Sequence, residues 1–419
     1  MDFIEELQFR ELLYQSTDIG ELRQRLNSSP ITLYIGFDPT ADSLHVGHLL
    51  PIIGLMRFQR AGHFPIALVG GGTGLIGDPS GKTTERVLNP EKLIEEWTSK
   101  IREQLEKFLD FDTRINPARM VNNYEWLGNL DIIPFLRDVG KHFPISYMLS
   151  KESVKARLEG GITYTEFSYM ILQSYDFYRL FQDYNCEMQA GGSDQWGNIT
   201  AGIDLIRRVL NKKAYGMTYP LVVKAEGTKF GKTESGTIWL DENKTTPYQF
   251  YQFWINTDDR DVIKFLKYFT FLTPEEINDL EQELNETPEK RSAQRTLARE
   301  VTELVHGKEA LLQAEKISQA FFYGSLRELS EKEMEQAFED IPSTEVTKGS
   351  DLGIIELLQR TGACSSKRQA REYINNGAVY INDECIRDID RTISTEDRLF
   401  GKYTIVRRGK KNYFLVKWV

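Results

Sequence analysis

Two short clusters in this 419-residue sequence carry groups suited to handling phosphate. His45-Val46-Gly47-His48 sets two imidazoles three residues apart, a spacing that shares one helical face. A generic pair of this kind is most often structural or part of a zinc site, yet the chain has only five histidines and no third ligand at suitable spacing. At a helix N-terminus the same rings can donate to polyphosphate oxygens beside the positive end of the helix dipole, while Gly47 leaves room for a flat base against the backbone. Lys229-Phe230-Gly231-Lys232-Thr233 adds two ammonium groups three apart in a glycine-containing loop, which alone reads as a solvated basic turn. A third group, Tyr169, Gln173 and Asp176, is spaced four and three apart and projects from one helical face, with Met170, Ile171 and Leu172 on the others. A carboxylate and an amide buried on one wall call for a polar ligand.

Two glycine-rich patterns point elsewhere and fail on inspection. Gly72-Thr73-Gly74-Leu75-Ile76-Gly77 satisfies the dinucleotide-binding spelling, but that motif needs a helix opening on its third glycine, and Gly77 runs into the helix-breaking Asp78-Pro79-Ser80-Gly81. Gly81-Lys82-Thr83 ends like a P-loop, yet Ile76 sits where its first glycine belongs. What remains is a glycine-rich turn, either a tight structural loop or a binding loop.

The elements that must position these groups follow from periodicity. Ile31 to Phe37 and Phe64 to Val69 are β-rich runs that end in glycine and lead into helical patterns, which predicts βαβ units and a parallel sheet. Helical spacing recurs over Pro90 to Leu109, Ile132 to Val139, Thr165 to Phe181 and Asn198 to Leu210, so the first ~220 residues read as an alternating α/β domain whose ligands bind at the carboxyl ends of strands. From Thr246-Pro247 to about Phe322 the pattern is of consecutive amphipathic helices separated at Thr273-Pro274 and Thr287-Pro288. Residues 323–351 turn polar and predict a linker crossed by few contacts, and an apolar helix restarts at Leu352.

Composition bounds the function. Hydrophobic residues at 40% and charged residues at 27% are ordinary for a packed globular protein of two or three domains. No apolar stretch approaches the ~20 residues that span a bilayer, and the N-terminus has no secretory pattern. The three scattered cysteines form neither a disulfide framework nor a zinc pattern, which fits a reducing, cytoplasmic setting. The net charge of −10 divides unevenly: residues 352–419 carry 13 Lys+Arg against 8 Asp+Glu, a basic module on an acidic body.

Taken in order and separation, the histidine and lysine motifs resemble the two signatures of class I aminoacyl-tRNA synthetases. With Tyr34-Ile35-Gly36-Phe37-Asp38-Pro39-Thr40-Ala41, Gly77-Asp78-Pro79-Ser80-Gly81-Lys82, Tyr169-Met170-Ile171-Leu172-Gln173 and Gly191-Gly192-Ser193-Asp194-Gln195-Trp196-Gly197-Asn198, essentially the whole chain resembles the bacterial tyrosyl-tRNA synthetases. The resemblance implies an α/β fold: a Rossmann-like catalytic domain over 1–220, a mobile phosphate-binding loop region over 221–246, an α-helical anticodon-side domain over 247–322, the linker 323–351, and a small α+β RNA-binding module over 352–419. It implies ATP with Mg2+, L-tyrosine and tRNA(Tyr) as ligands, a cytoplasmic enzyme and no membrane contact. It implies further that Tyr34 and Asp176 meet the phenolic hydroxyl, that Asp78, Tyr169 and Gln173 surround the ammonium group, and that Gln195 lies near the carboxylate. Gly36, Asp38, Gly47, Gly192 and Asp194 would line the nucleotide, with His48 at its sugar. Thr40, His45, Lys82, Arg86, Lys229, Lys232 and Thr233 would contact the phosphates.

In the tail, Ser365-Ser366-Lys367-Arg368-Gln369-Ala370-Arg371 opens a helix with basic residues, and the segment resembles the small RNA-binding module of a ribosomal small-subunit protein. Phosphate contacts by Lys367, Arg368, Arg371, Lys410 and Lys411 are then expected. Ile132, Ile133, Phe135, Val139, Phe143 and Ile145 form an apolar run richer than one helix face needs, where relatives associate as symmetric homodimers. Two positions depart from the family pattern: Ile35 is apolar and Pro51 cannot donate a backbone hydrogen bond, so no nucleotide contact is carried over to them. The runner-up readings are a tryptophanyl-tRNA synthetase, disfavoured by Asp176 facing Tyr34, and a non-catalytic RNA-binding relative, disfavoured by the intact charged residues of both phosphate motifs.

Overall fold

The computed structural model describes residues 1–419 except 82, 83, 85, 159, 228, 229, 234, 235, 324, 325, 340, 350, 351, 410 and 411, and except the side chains of 153, 156, 233, 322 and 323. Two compact units are distinguished. One comprises Met1–Thr245 with Trp254–Val305, the other Thr246–Phe253 with His306–Val419.

In the first unit, β1 (Gln15–Ser16), β2 (Thr32–Phe37), β3 (Phe64–Val69), β4 (Arg119–Asn122), β5 (Cys186–Gly192) and β6 (Tyr215–Tyr219) make one sheet in the order β1-β6-β5-β2-β3-β4. All neighbours are parallel except the two-residue β1, which runs antiparallel to β6. The chain steps outward from β2 through β3 to β4, then returns to the other side of β2 as β5. That reversal opens a crevice at the carboxyl ends of β2 and β5, where open α/β sheets hold their ligands. The near-continuous apolar spelling of β3, all of it buried after Phe64, is what a strand covered on both faces requires. Tyr34, Ile66, Leu68, Val121, Trp126, Phe177, Leu180 and Ile206 pack into one core beside the crevice, each large side chain contributing on the order of 1.5–3 kcal/mol.

The helix Tyr164–Tyr184 is set at both ends by its sequence. Thr163 caps the first turn by accepting from the Glu166 amide, and Asn185 ends it in the left-handed region at φ 51°, which Asn tolerates better than most residues. The helical breaks expected at Thr273-Pro274 and Thr287-Pro288 are present, the first as a capping box between Thr273 and Glu276. A further break falls between Ile255 and Asp259, where Asp258 caps the next helix. The helix Ser292–Tyr323 is interrupted at Gly307, whose φ of 83° costs a glycine little.

The second unit, described by itself, carries a five-stranded sheet. Glu384–Ile386, Val379–Ile381, Tyr403–Arg408 and Asn412–Trp418 follow one another antiparallel, and Ser343–Val346 pairs parallel with Asn412–Trp418. Residues 323–351, expected to be a linker, thus hold a sheet strand and the helix Glu331–Ala337. Polar spelling hid this because Ser343–Val346 is an edge strand with one fully buried residue, Val346. Lys367, Arg368 and Arg371 lie exposed on the helix Lys367–Asn375, which buries Ala370 and Ile374 instead. Lys410 and Lys411 fall outside the described residues.

Candidate active site

A cavity of about 340 Å³ opens at the β2/β5 reversal, a size suited to small-molecule ligands. Tyr34, Gly36, Asp38, Thr40, His45, His48, Asp78, Arg86, Tyr169, Gln173, Asp176, Gly192, Asp194 and Gln195 all line it, from six separate stretches of sequence. Gly47 and Lys232 do not. Lys82 and Lys229 lie outside the described residues, as does the side chain of Thr233.

At one end of the cavity the polar groups form a chain behind Asp176. Trp126 Nε1 donates to Asp176 Oδ1 at 2.7 Å, and Asn123 Nδ2 donates to Asp176 Oδ2 at 2.9 Å and to Thr73 Oγ1 at 2.9 Å. Thr73 Oγ1 in turn donates to Asp38 Oδ1 at 2.6 Å, and the Tyr169 hydroxyl donates to Asp38 Oδ2 at 2.6 Å. Gly70 makes this possible, since a Cβ there would stand 1.9 Å from Asp38 Oδ1. Burial pushes the Asp176 carboxyl up to about 8 and that of Asp38 up to about 6, against the pull of these donors. Two buried polar atoms bordering the same cavity, the Tyr34 hydroxyl and Gln189 Oε1, have no hydrogen-bond partner. A buried polar atom left unpaired costs ~1–3 kcal/mol, so a cavity edged by two of them is shaped for a polar guest.

A second chain ties the mouth together. Asp78 accepts from the Ser80 amide at 2.9 Å and from Gln195 Nε2 at 2.7 Å, while Asn198 Nδ2 donates to both Gln195 Oε1 and Gln173 Oε1 at 3.1 Å. Burial lifts the Asp194 carboxyl above its usual range.

The histidines occupy a helix start, as expected, with a division of labour that spacing alone does not reveal. His45 is the N-cap of the helix Val46–Arg60 and accepts from the Gly47 amide through Nδ1 at 3.0 Å; His48 Nδ1 accepts from the His45 amide at 3.1 Å. With both Nδ1 atoms accepting from the backbone, each ring carries its proton on Nε2. Desolvation, reinforced by His45, depresses His48 to about 3, so this ring is a neutral donor at neutral pH.

The lysine loop is fastened on two sides. Ile238 donates its amide to Gly231 O at 3.0 Å, and the Val46 amide donates to Ile238 O at 3.0 Å, which joins the loop to the start of the histidine helix. Phe230 sits among Trp254, Phe265 and Phe269 at ring separations of 5.7, 5.1 and 5.3 Å. Lys232 is exposed and pairs with Thr237 in a short antiparallel hairpin.

Sequence reasoning missed Thr73, Asn123, Trp126, Gln189 and Asn198. The available signal was position: Asn123 follows the carboxyl end of β4, and Gln189 lies inside a strand otherwise spelled for burial.

Comparisons with known proteins agree with this geometry. The family model for class I tRNA synthetases (W and Y) matches residues 26–323, and that for the tyrosine–tRNA ligase SYY-like C-terminal domain matches residues 333–416. The tyrosine–tRNA ligase of Geobacillus stearothermophilus is 60% identical over 419 residues, covering 100% of both chains. Tyrosine–tRNA ligase 1 of Bacillus subtilis is 59% identical over 100% of this chain and 99% of its own. Among solved structures, a C-terminally truncated Aspergillus nidulans mitochondrial tyrosyl-tRNA synthetase superposes with a TM-score of 0.70 at 31% identity, covering 76% of this chain and 94% of that one.

Proposed function

The chain belongs to the tyrosine–tRNA ligases of the class I aminoacyl-tRNA synthetases, which use ATP to join tyrosine to tRNA, and on that premise we propose how its residues share the two chemical steps. The observation that carries the assignment is the buried Tyr34 hydroxyl, unpartnered in the cavity that Asp176 also lines. A phenolic hydroxyl entering there donates to Asp176 and accepts from Tyr34. Phenylalanine would leave the buried Tyr34 hydroxyl unpaired and give the Asp176 carboxyl no partner beyond Trp126 and Asn123, which is the physical basis of rejection. Asp78, Tyr169 and Gln173 take the ammonium group, and Gln195 lies near the carboxylate.

In the first step the tyrosine carboxylate attacks the α-phosphorus of ATP; the new C–O–P bond forms as the bond to pyrophosphate breaks. The nucleophile is already ionised, so the site supplies position and charge stabilisation and no general base. Gly36, Asp38, Gly47, Gly192 and Asp194 bound the nucleotide, with His48 at its ribose. Thr40, His45, Lys82, Arg86, Lys229, Lys232 and Thr233 carry the phosphates. Mg2+ would be held by the phosphates of ATP rather than by a dedicated protein cage, and would supply charge neutralisation there. In the second step the terminal ribose hydroxyl of tRNA(Tyr) attacks the adenylate carbonyl, and AMP leaves.

Residues 1–246 are assigned to adenylate formation, 247–322 to the anticodon side of the tRNA, and 352–419 to RNA binding through Lys367, Arg368, Arg371, Lys410 and Lys411. The enzyme is proposed to work in the cytoplasm; among the described residues no helix is long and apolar enough to cross a membrane. Of the apolar run, Val139 and Phe143 are buried in the chain's own core with Phe135 packed against them, so the pairing with a second copy is proposed through the part left exposed, Ile132, Ile133 and Ile145 at 68, 71 and 62%, joined by Leu136 at 45%. Sedimentation equilibrium at micromolar concentration should return twice the 48.4 kDa chain mass, and a monomer mass would refute the pairing.

The specificity assignment is tested by Tyr34→Phe. Loss of one neutral hydrogen bond predicts that the ratio of tyrosine to phenylalanine specificity constants in ATP–pyrophosphate exchange falls about 3- to 15-fold, with KM for ATP little changed. An unchanged ratio would remove Tyr34 from the recognition of the phenol.

A further inference from the structure

Arg157 and Glu166 form an ion pair that is 3% and 1% exposed, with Arg157 Nη2 3.0 Å from Glu166 Oε2. Neither lines the cavity. A buried pair of this kind gains little net stability, because desolvation offsets most of the attraction, so its remaining contacts are the informative ones. Two of them fall on the backbone of Thr84 and Arg86 and one on Gly161. Arg157 Nη1 donates to Thr84 O at 3.0 Å and to Glu166 Oε1 at 3.3 Å, while Nη2 donates to Gly161 O at 3.2 Å. Glu166 Oε1 also accepts the Arg86 amide at 3.0 Å. From the other side, Arg86 Nε donates to Asp78 O at 3.0 Å, and the Arg86 stem lies so close to Gly77 that a Cβ there would meet it at 2.7 Å. Arg86 is therefore clamped at its backbone by the ion pair and at its side chain by the Asp78 turn, and it is among the residues that line the cavity. Glu166 stands one turn before Tyr169 on the helix that also bears Gln173 and Asp176.

We propose that Arg157 and Glu166 are positioning residues for adenylate formation, holding Thr84 and Arg86 so that the Arg86 guanidinium meets the departing pyrophosphate. This rests on the reading of Arg86 as a phosphate contact. The pair ties the helix of the amino-acid wall to the backbone of Thr84 and Arg86, so that filling one half of the site does not depend on reordering the other.

The test is a double-mutant cycle of Glu166→Gln and Arg86→Ala, read by tyrosine-dependent ATP–pyrophosphate exchange and by equilibrium dialysis of tyrosine. Misplacing Arg86 predicts that Glu166→Gln lowers the exchange kcat about 10- to 100-fold and raises KM for pyrophosphate, with tyrosine affinity kept within about twofold. In the Arg86→Ala background the same change should add less than about twofold. Costs that multiply in full, or a tyrosine affinity that falls in step with the rate, would overturn the proposal, the second outcome marking a disturbed helix. Should Arg86→Ala alone leave exchange unchanged, the phosphate reading of Arg86 fails, and the proposal with it, visible in that single variant. Arg157→Lys keeps the buried positive charge but loses the fork to Thr84 and Gly161, so it serves if Glu166→Gln does not fold. It should reproduce the same pattern, and wild-type kinetics from it would overturn the proposal.

Discussion

Replacing His45 with asparagine should lower the rate of tyrosyl-adenylate formation about 10²- to 10³-fold and leave tyrosine affinity almost untouched, the signature of a donor that acts on charge developing in the transition state. The choice of asparagine matters because His45 does two jobs. Its Nδ1 caps the helix Val46–Arg60, and its Nε2 carries the ring's proton, from a residue that lines the cavity. Asparagine is a good N-cap, so it spares the helix start while removing the imidazole donor; His45→Ala should cost about 1 kcal/mol of stability as well. Stopped-flow measurement of adenylate formation beside equilibrium dialysis of tyrosine separates the two roles. An unchanged rate with His45→Asn would confine His45 to capping.

Neutralising Lys367, Arg368 and Arg371 together to alanine should reduce tRNA charging at physiological salt by roughly 10- to 10³-fold and flatten the slope of log affinity against log salt by about 2, through loss of counterion release. Tyrosine-dependent pyrophosphate exchange should persist, since only small molecules take part in it. All three side chains are exposed on a helix that buries Ala370 and Ile374, so the fold loses no packing. This variant is cleaner than removing residues 352–419. That cut would take Ile405 and Leu415 from a core they share with Ile317, Leu326, Met334 and Phe338, and would strip Ser343–Val346 of its strand partner. A salt slope equal to that of the unaltered protein would reduce the basic helix to a solvated surface.

Much of the site could be read from sequence because its groups come in local clusters. Tyr169, Gln173 and Asp176 needed only a helical period to share a wall, and His45 and His48 needed only a strand before them and an apolar run behind. What escaped was contributed by tertiary structure. Asn123 and Trp126 reach Asp176 across about fifty residues of chain, and Arg157 reaches Thr84 across more than seventy. No period in the sequence marks a residue whose purpose is to hold another. The misread stretch 323–351 has the same origin: a half-exposed edge strand spells like a loop until the neighbour that pairs with it is known.

The pairing of Ser343–Val346 with Asn412–Trp418 also fixes when the second unit can be finished. Asn412–Trp418, the latest in sequence of the five strands, is not an edge; it lies inside the sheet, between Tyr403–Arg408 and Ser343–Val346. Until residue 418 clears the ribosome, the strand made some seventy residues earlier has no partner, and the apolar faces of Val346 and Val406 lack their cover from Val416 and Trp418. The first unit can close while translation continues, but the basic module cannot be completed before Asn412–Trp418 has emerged. A nascent chain cut before Asn412–Trp418 is complete is left with a closed first unit and an unfinished five-stranded sheet, its exposed strands open to chaperones and proteases.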